Sequence, residues 1–205
     1  IGLAWNSKGE YDKAIDYYGK CQEILNQFFE PTHPTRVTTA QNLSSAANSK
    51  GMELFNEKKY NDALSYFKKA LKNAEAAGET VLLLTCLNNI GSMQKHLQKF
   101  EEGLQSLDAG LQKVAQLREE LDQLIHEQLT PEMLNDPIMQ AKIAELRKLP
   151  LIHRMQFHKV GCLKGLNRNK EAKALAKQLW QEGIEAKDTR LLEDLRKEGY
   201  DFGGN

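Results

Sequence analysis

The chain has 205 residues, 40% of them hydrophobic and 27% charged, which is ample for one continuous core and requires no division into domains. Lys+Arg and Asp+Glu number 28 each, so the formal net charge is zero, and this excludes a general nucleic-acid or membrane-surface binder that relies on a basic excess. No apolar run approaches the roughly 18 residues of a membrane span and no charged-then-apolar leader is visible, so the expected protein is soluble and cytoplasmic, without membrane insertion.

One spacing recurs along the chain: a small or apolar residue, an aromatic-biased residue nine positions on, Ala or Gly three further, then two more apolar positions. It reads Gly2–Tyr11–Ala14–Tyr18–Cys21, Gly51–Tyr60–Ala63–Phe67–Ala70 and Gly91–Phe100–Gly103–Leu107–Gly110, with a weaker copy at Val160–Asn169–Ala172–Ala176–Leu179. Such a pattern describes two-helix hairpins of about 34 residues or slightly more, each needing neighbours to cover its apolar face. The small residues let the two helices approach. The later residue (Tyr18, Phe67, Leu107) is expected to fill the gap to the next hairpin, and Tyr11, Tyr60 and Phe100 to cover the hairpin's open end.

In chain order, the first hairpin runs from Ile1 to about Asn26 and turns at Lys8-Gly9-Glu10. Ile1, not Met, opens what should already be a repeat helix, so the sequence is expected to be a fragment of a longer chain. His33-Pro34-Thr35 stops and restarts the chain, because the residue before Pro is pushed away from helical geometry. If a period near 42 residues held, the second hairpin's Ala would stand at 56, and it stands seven later at Ala63. Seven residues are two helical turns to within about 20°, so one long first helix is expected over about Thr35 to Glu57. Its partner runs from Tyr60 to Ala77, with Gly78 as the C-terminal stop. The third hairpin has helices at about 79–97 and from Phe100 onward. Leu104, Leu107, Leu111, Val114, Leu121 and Ile125 carry the second of these to about Leu129, roughly 40 Å, about twice the usual repeat helix. Thr130-Pro131 and Asp136-Pro137 each read as an N-cap followed by Pro, giving a short turn and a helix over about 137–149 that Pro150 ends. A last hairpin occupies about Leu151–Leu166 and Asn169–Gly183. Asp188-Thr189 caps a final helix to about Glu198, and Tyr200 to Asn205 reads as a frayed tail.

These residues resemble the tetratricopeptide repeat, with at least five positions per unit agreeing in three units. The segment Ile1-Gly2-Leu3-Ala4-Trp5 through Gly9-Glu10-Tyr11-Asp12-Lys13-Ala14 and on to His33-Pro34 is similar to the longer kinesin-light-chain type. The resemblance implies an all-α fold: a right-handed α-solenoid of TPR-like helical hairpins with one elongated helix in the middle. Repeats fall at about 1–34, 35–78, 79–129 and 151–184, with a linker helix at 130–150 and a C-terminal helix at 188–198. It also implies that first helices line a concave face. There the candidates for holding a peptide are Asn48, Ser49, Met52 and Phe55, then Asn88, Asn89, Ser92 and His96, then Arg154, Phe157 and His158. Thr85, Lys95 and Lys164 are expected on the same face. Amides and hydroxyls can satisfy the backbone of an extended peptide without demanding one sequence, and Asn88-Asn89 resembles the paired Asn that kinesin-light-chain-type repeats aim at bound peptide. Arg154, His158 and Lys164 would favour acidic residues in the ligand. A chaperone-tail clamp, the best-known use of the fold, is absent in this register, since the corresponding places hold Leu3, Ser49, Thr85 and Asn89.

Chemistry of other kinds finds no support. His153 and His158 are five apart rather than the four that would place two imidazoles on one helix face, so no metal is expected. Asp201-Phe202-Gly203 lacks every motif that accompanies it in kinases, and no phosphate loop or nucleophile motif is present, so neither enzyme activity nor a cofactor is expected. Cys21, Cys86 and Cys162 are far apart without Cys-x-x-Cys and read as structural thiols, Cys21 at a small buried position. The leading expectation is a non-catalytic adaptor that binds a protein or peptide partner. The alternative is a structural scaffold subunit of a multiprotein complex, docked through the long helix at 104–129.

Overall fold

A computed structural model describes residues 1–137, 139–140 and 150–203. Its helices are α1 (Gly2–Ser7), α2 (Tyr11–Phe28), α3 (Pro34–Asn56), α4 (Tyr60–Ala77) and α5 (Thr80–His96). They continue as α6 (Phe100–Gln128), α7 (Pro131–Asn135), α8 (Pro150–Gly165), α9 (Asn169–Ala186) and α10 (Thr189–Lys197). No strand occurs among the described residues. The fold is an all-α solenoid of stacked hairpins. The expected long first helix is α3, whose 23 residues begin at the Pro after His33. The helix expected at about 137–149 lies largely outside the described residues.

The four hairpins share one turn. Gly9, Lys58, Gln98 and Asn167 each take a left-handed conformation, with φ of 77°, 61°, 58° and 58°. In each, the amide of the following residue donates back to a carbonyl five positions earlier: Glu10 to Trp5, Lys59 to Leu54, Lys99 to Gln94 and Arg168 to Leu163. This is the 6→1 closure that satisfies a helix's last carbonyls. Only the first hairpin places Gly there; the other three hold a side chain where it is strained.

Inside each hairpin the contacts follow the repeated spacing, with one addition to its reading. A Cβ added at Gly2 would meet the Tyr18 ring at 2.7 Å, one at Gly51 the Phe67 ring at 2.6 Å, and one at Gly91 the Leu107 side chain at 2.5 Å. Tyr18, Phe67 and Leu107 therefore lie on the glycine of their own hairpin, while each also shares a core cluster with residues of the next first helix: Leu43 and Ala46, Ile90 and Met93, and Met155. The missing Cβ is the space the large side chain occupies. Register places Val160 opposite Ala176 in the fourth hairpin, both fully buried, so the large and small partners have changed sides while the sum of volumes is kept.

Between hairpins the residues that open the second helices do the joining. Tyr60 stacks on His96 of the next first helix at 4.9 Å between centroids and 13° between planes, and the Phe100 ring lies against Gly165. Gly103 is pressed by Cys162 in the same way. Each second helix packs on the next first helix, α4 on α5 and α6 on α8, and the first helices α5 and α8 also touch directly.

Pro150 is the first described residue of α8, and the expectation that it ends a helix over about 137–149 falls on residues outside the description. Other expectations are corrected. The tail is not frayed at its start: Tyr200 and Phe202 stack at 6.2 Å and 11°, and Phe202 meets Trp180 edge-on at 6.0 Å. Cys21 is exposed, close only to Thr39 Oγ1 at 3.9 Å, while Cys86 and Cys162 are buried as expected. In α6 the buried positions stop at Val114, so the first half acts as a repeat helix and the second half overhangs, with Leu124 49% exposed.

Candidate peptide-binding groove

A cavity of ≈ 360 Å³ opens among the first helices α3, α5 and α8, the second helix α4 and the C-terminal helix α10. Met52 and Phe55 come to it from α3, Asn88, Asn89 and Ser92 from α5, and Arg154, Phe157 and His158 from α8. These eight were singled out from sequence. Of the remaining candidates, Asn48 reaches the site through Asn89, Ser49 stands off the cavity, and His96 is taken up by its stack on Tyr60 and a tilted contact with Phe55 at 5.6 Å. Lys164 does not face inward: its ammonium donates to the Glu198 carbonyl at 2.8 Å. Among the described residues, the overhanging part of α6 contributes nothing to the lining.

The polar groups form a directed relay. Asn89 donates its amide N–H to Asn48 Oδ1 at 2.9 Å, and Asn88 donates to Asn89 Oδ1 at 3.2 Å. The relay joins α3 to α5 and ends at Asn88 Oδ1, an acceptor without a partner on a residue only 4% exposed. A buried carbonyl left unpaired costs about 1–3 kcal/mol. His158 Nδ1 is also buried and unpartnered. Burial, helped by the nearby charges of Lys95, His96 and Arg154, pushes the His158 imidazole down to about 3, so the ring is neutral at physiological pH.

Around this floor lie apolar walls. Phe67 and Met93 complete the side formed by Met52 and Phe55, and Leu191 faces them from α10. Sequence reasoning missed α10 as a wall altogether, together with Asp188, Arg190, Asp194 and His153. The structure shows the equivalence that the sequence does not: Gly78 and Lys187 both cap a second helix in the left-handed conformation, at φ 67° and 55°. The next amides donate back five residues, Glu79 to Ala74 and Asp188 to Gly183, and the following helix starts two residues after the cap in both cases. Thus α10 stands where the first helix of a further unit would stand, and its inner residues face the hollow.

Two charged groups in the site are satisfied. Asp188 accepts from the Leu191 amide at 3.0 Å and lies 3.9 Å from His153, and Asp194 pairs with Lys197 at 3.5 Å. Burial raises the Cys86 and Cys162 thiols to about 11, so neither is a thiolate at neutral pH. Among the described residues no group of three His, Cys, Asp or Glu side chains could hold a metal, and no helix is long and apolar enough to cross a membrane.

Comparison with known proteins gives a family match. The tetratricopeptide repeat family model matches residues 1–25 and 44–76. No curated protein matches the sequence. Two crystal structures of a kinesin-light-chain-like protein from Podosopora anserina, built of nearly identical TPR-like repeats, are similar in shape. One is 12% identical at a TM-score of 0.47, covering 92% of this chain and 74% of that one; the other is 14% identical at 0.46, covering 93% and 74%.

Proposed function

We propose that this chain, which carries tetratricopeptide repeats at residues 1–25 and 44–76, is a non-catalytic adaptor that holds a partner peptide or helix in its concave groove. Tetratricopeptide repeats build protein–protein interaction modules, and that much follows from the match alone. The finer reading is carried by one observation: the amide side chains of Asn88 and Asn89 line the same cavity as the apolar side chains of Met52, Phe55 and Phe157. Apolar surface supplies affinity and the amide relay supplies a fixed polar contact, an arrangement suited to a polypeptide backbone crossing first helices. Affinity should be modest, because each polar contact offsets its own desolvation.

The alternative, a scaffold subunit docked through the long helix at 104–129, draws support from the exposed Leu124 on the overhang. Panning a random short-peptide library on the immobilised chain separates the two. The groove reading expects enriched peptides whose binding drops at least tenfold with Phe157→Ala and with the pair Asn88→Ala, Asn89→Ala, and stays unchanged with Leu124→Asp. Binding lost with Leu124→Asp and kept in the groove variants would transfer the function to α6. Val114 is no surface probe, since it is only 3% exposed.

A further inference from the structure

We infer that one exposed face of α2 is a self-association surface, on which a second copy of this chain lays its own α2 antiparallel across a two-fold axis. This surface is separate from the groove and does not rest on the groove reading.

Tyr17, Cys21, Ile24 and Phe28 follow one another at spacings of four, three and four, so they form one stripe along α2. The stripe is apolar and open: Tyr17 is 42%, Ile24 59% and Phe28 72% exposed, and Cys21 is exposed as well. The repeat shows what the same positions do elsewhere. On α4 they are Tyr66, Ala70, Asn73 and Ala77, and there all four are buried or half-buried. On α2, therefore, large apolar side chains stand in solvent where the second hairpin has mostly smaller, covered ones. Scattered exposed apolar side chains need no explanation, whereas a contiguous row of them marks a contact surface.

A second copy fits this stripe because the spacing is self-complementary. In an antiparallel pair Tyr17 lies level with Phe28 of the second copy and Cys21 level with its Ile24, and the two-fold axis repeats both contacts. Like charges are not opposed: Lys20, on the edge of the stripe, is paired with Asp16 at 2.7 Å and comes beside Gln27 of the second copy. At these exposures Tyr17, Ile24 and Phe28 together offer roughly 300 Å² per copy, against about 800 Å² per partner in a standard stable interface. The dimer is therefore weak, with a dissociation constant of about 0.1–1 mM.

The test is sedimentation equilibrium of the whole chain under reducing conditions, from about 10 μM to about 1 mM. The average mass should rise with concentration from 23.3 kDa toward twice that value. Ile24→Asp with Phe28→Asp should weaken association at least tenfold, with a melting temperature within a degree or two of wild type because both side chains are exposed. Cys21 gives a second readout that leaves the stripe intact, since Cys86 and Cys162 are buried. Helix axes 8–10 Å apart and an offset of about 4.5 Å along them bring the two Cys21 thiols within reach of a short bismaleimide, which should join two copies through Cys21. Leu124→Asp and Phe157→Ala should associate as wild type does. A mass that stays at the monomer value up to about 1 mM would overturn the proposal. So would association that survives the double substitution, that yields no link between two Cys21 thiols, or that is lost with Leu124→Asp.

Discussion

The second and fourth hairpins solve the same packing problem with opposite choices of size. In the second, Gly51 gives up its side chain so that Phe67 can lie flat against the first helix; in the fourth, Val160 supplies the bulk and Ala176 gives way. Both pairs are fully or nearly fully enclosed. The helices therefore need one large and one small partner at this crossing, and which helix carries which is free. What the repeat constrains is a volume shared between two positions sixteen residues apart, a quantity that position-by-position comparison weakens.

The comparison can be broken most strongly at Phe67, which is 0% exposed. Phe67→Ala should cost about 3–5 kcal/mol in denaturant unfolding. Gly51→Val should cost about 1–3 kcal/mol by overpacking against the ring. The sharper experiment combines them: Gly51→Val with Phe67→Ala imitates the fourth hairpin, and the pair should be at least 1 kcal/mol more stable than the two losses added together. Strict additivity would mean that the reversed sizes at Val160 and Ala176 are coincidence.

That pair also shows what was legible in the sequence. Helix bounds were readable where a turn is forced: Pro34 opens α3, Gly78 closes α4, and Asp188 caps α10. The contact of the large side chains with their own hairpin's glycine was not legible, because spacing gives the turn on which a residue lies and not every neighbour its side chain reaches. The fourth hairpin read as a weak copy since its sizes are exchanged. Eight of the residues that line the cavity were legible because they recur at one register of the first helices. Asp188, Arg190, Leu191 and Asp194 were not, because a single capped helix carries no hairpin pattern. Cys21 was misplaced for a related reason: its equivalents Ala70 and Gly110 are covered by the next first helix, whereas α3 leaves Cys21 open.

A second contrast lies within α6. Leu107→Ala, in the part that acts as a repeat helix, should cost about 2–5 kcal/mol, and Leu124→Ala on the overhang within about 0.5 kcal/mol. Equal losses would show that the overhang is packed as tightly as the repeat.

The pH dependence of the fourth hairpin is spread over several pH units. His158 is held at about 3 against its ordinary 6.5, so below about pH 6.5 the unfolded chain takes up a proton that the folded chain refuses. Its contribution is fully present above pH 6.5 and is lost as the pH falls toward 3, at no more than about 1.4 kcal/mol per pH unit. Urea titrations at a series of pH values should show this slope, and His158→Leu should flatten it, leaving the part due to His96, which burial also holds below 6.5. An unchanged slope would place His158 in water. Smallest of all is Lys58→Gly, which frees a side chain from the left-handed turn at φ 61° and should add up to about 1 kcal/mol of stability, read from its melting temperature.

The groove itself is tested most directly by methyl NMR of the methionines with a library-enriched peptide added. Met52 and Met93 line the cavity, and Met133 lies on α7 away from it. The account predicts saturable shifts at Met52 and Met93 with Met133 unmoved. Saturable shifts at Met133 while Met52 and Met93 stay in place would contradict it.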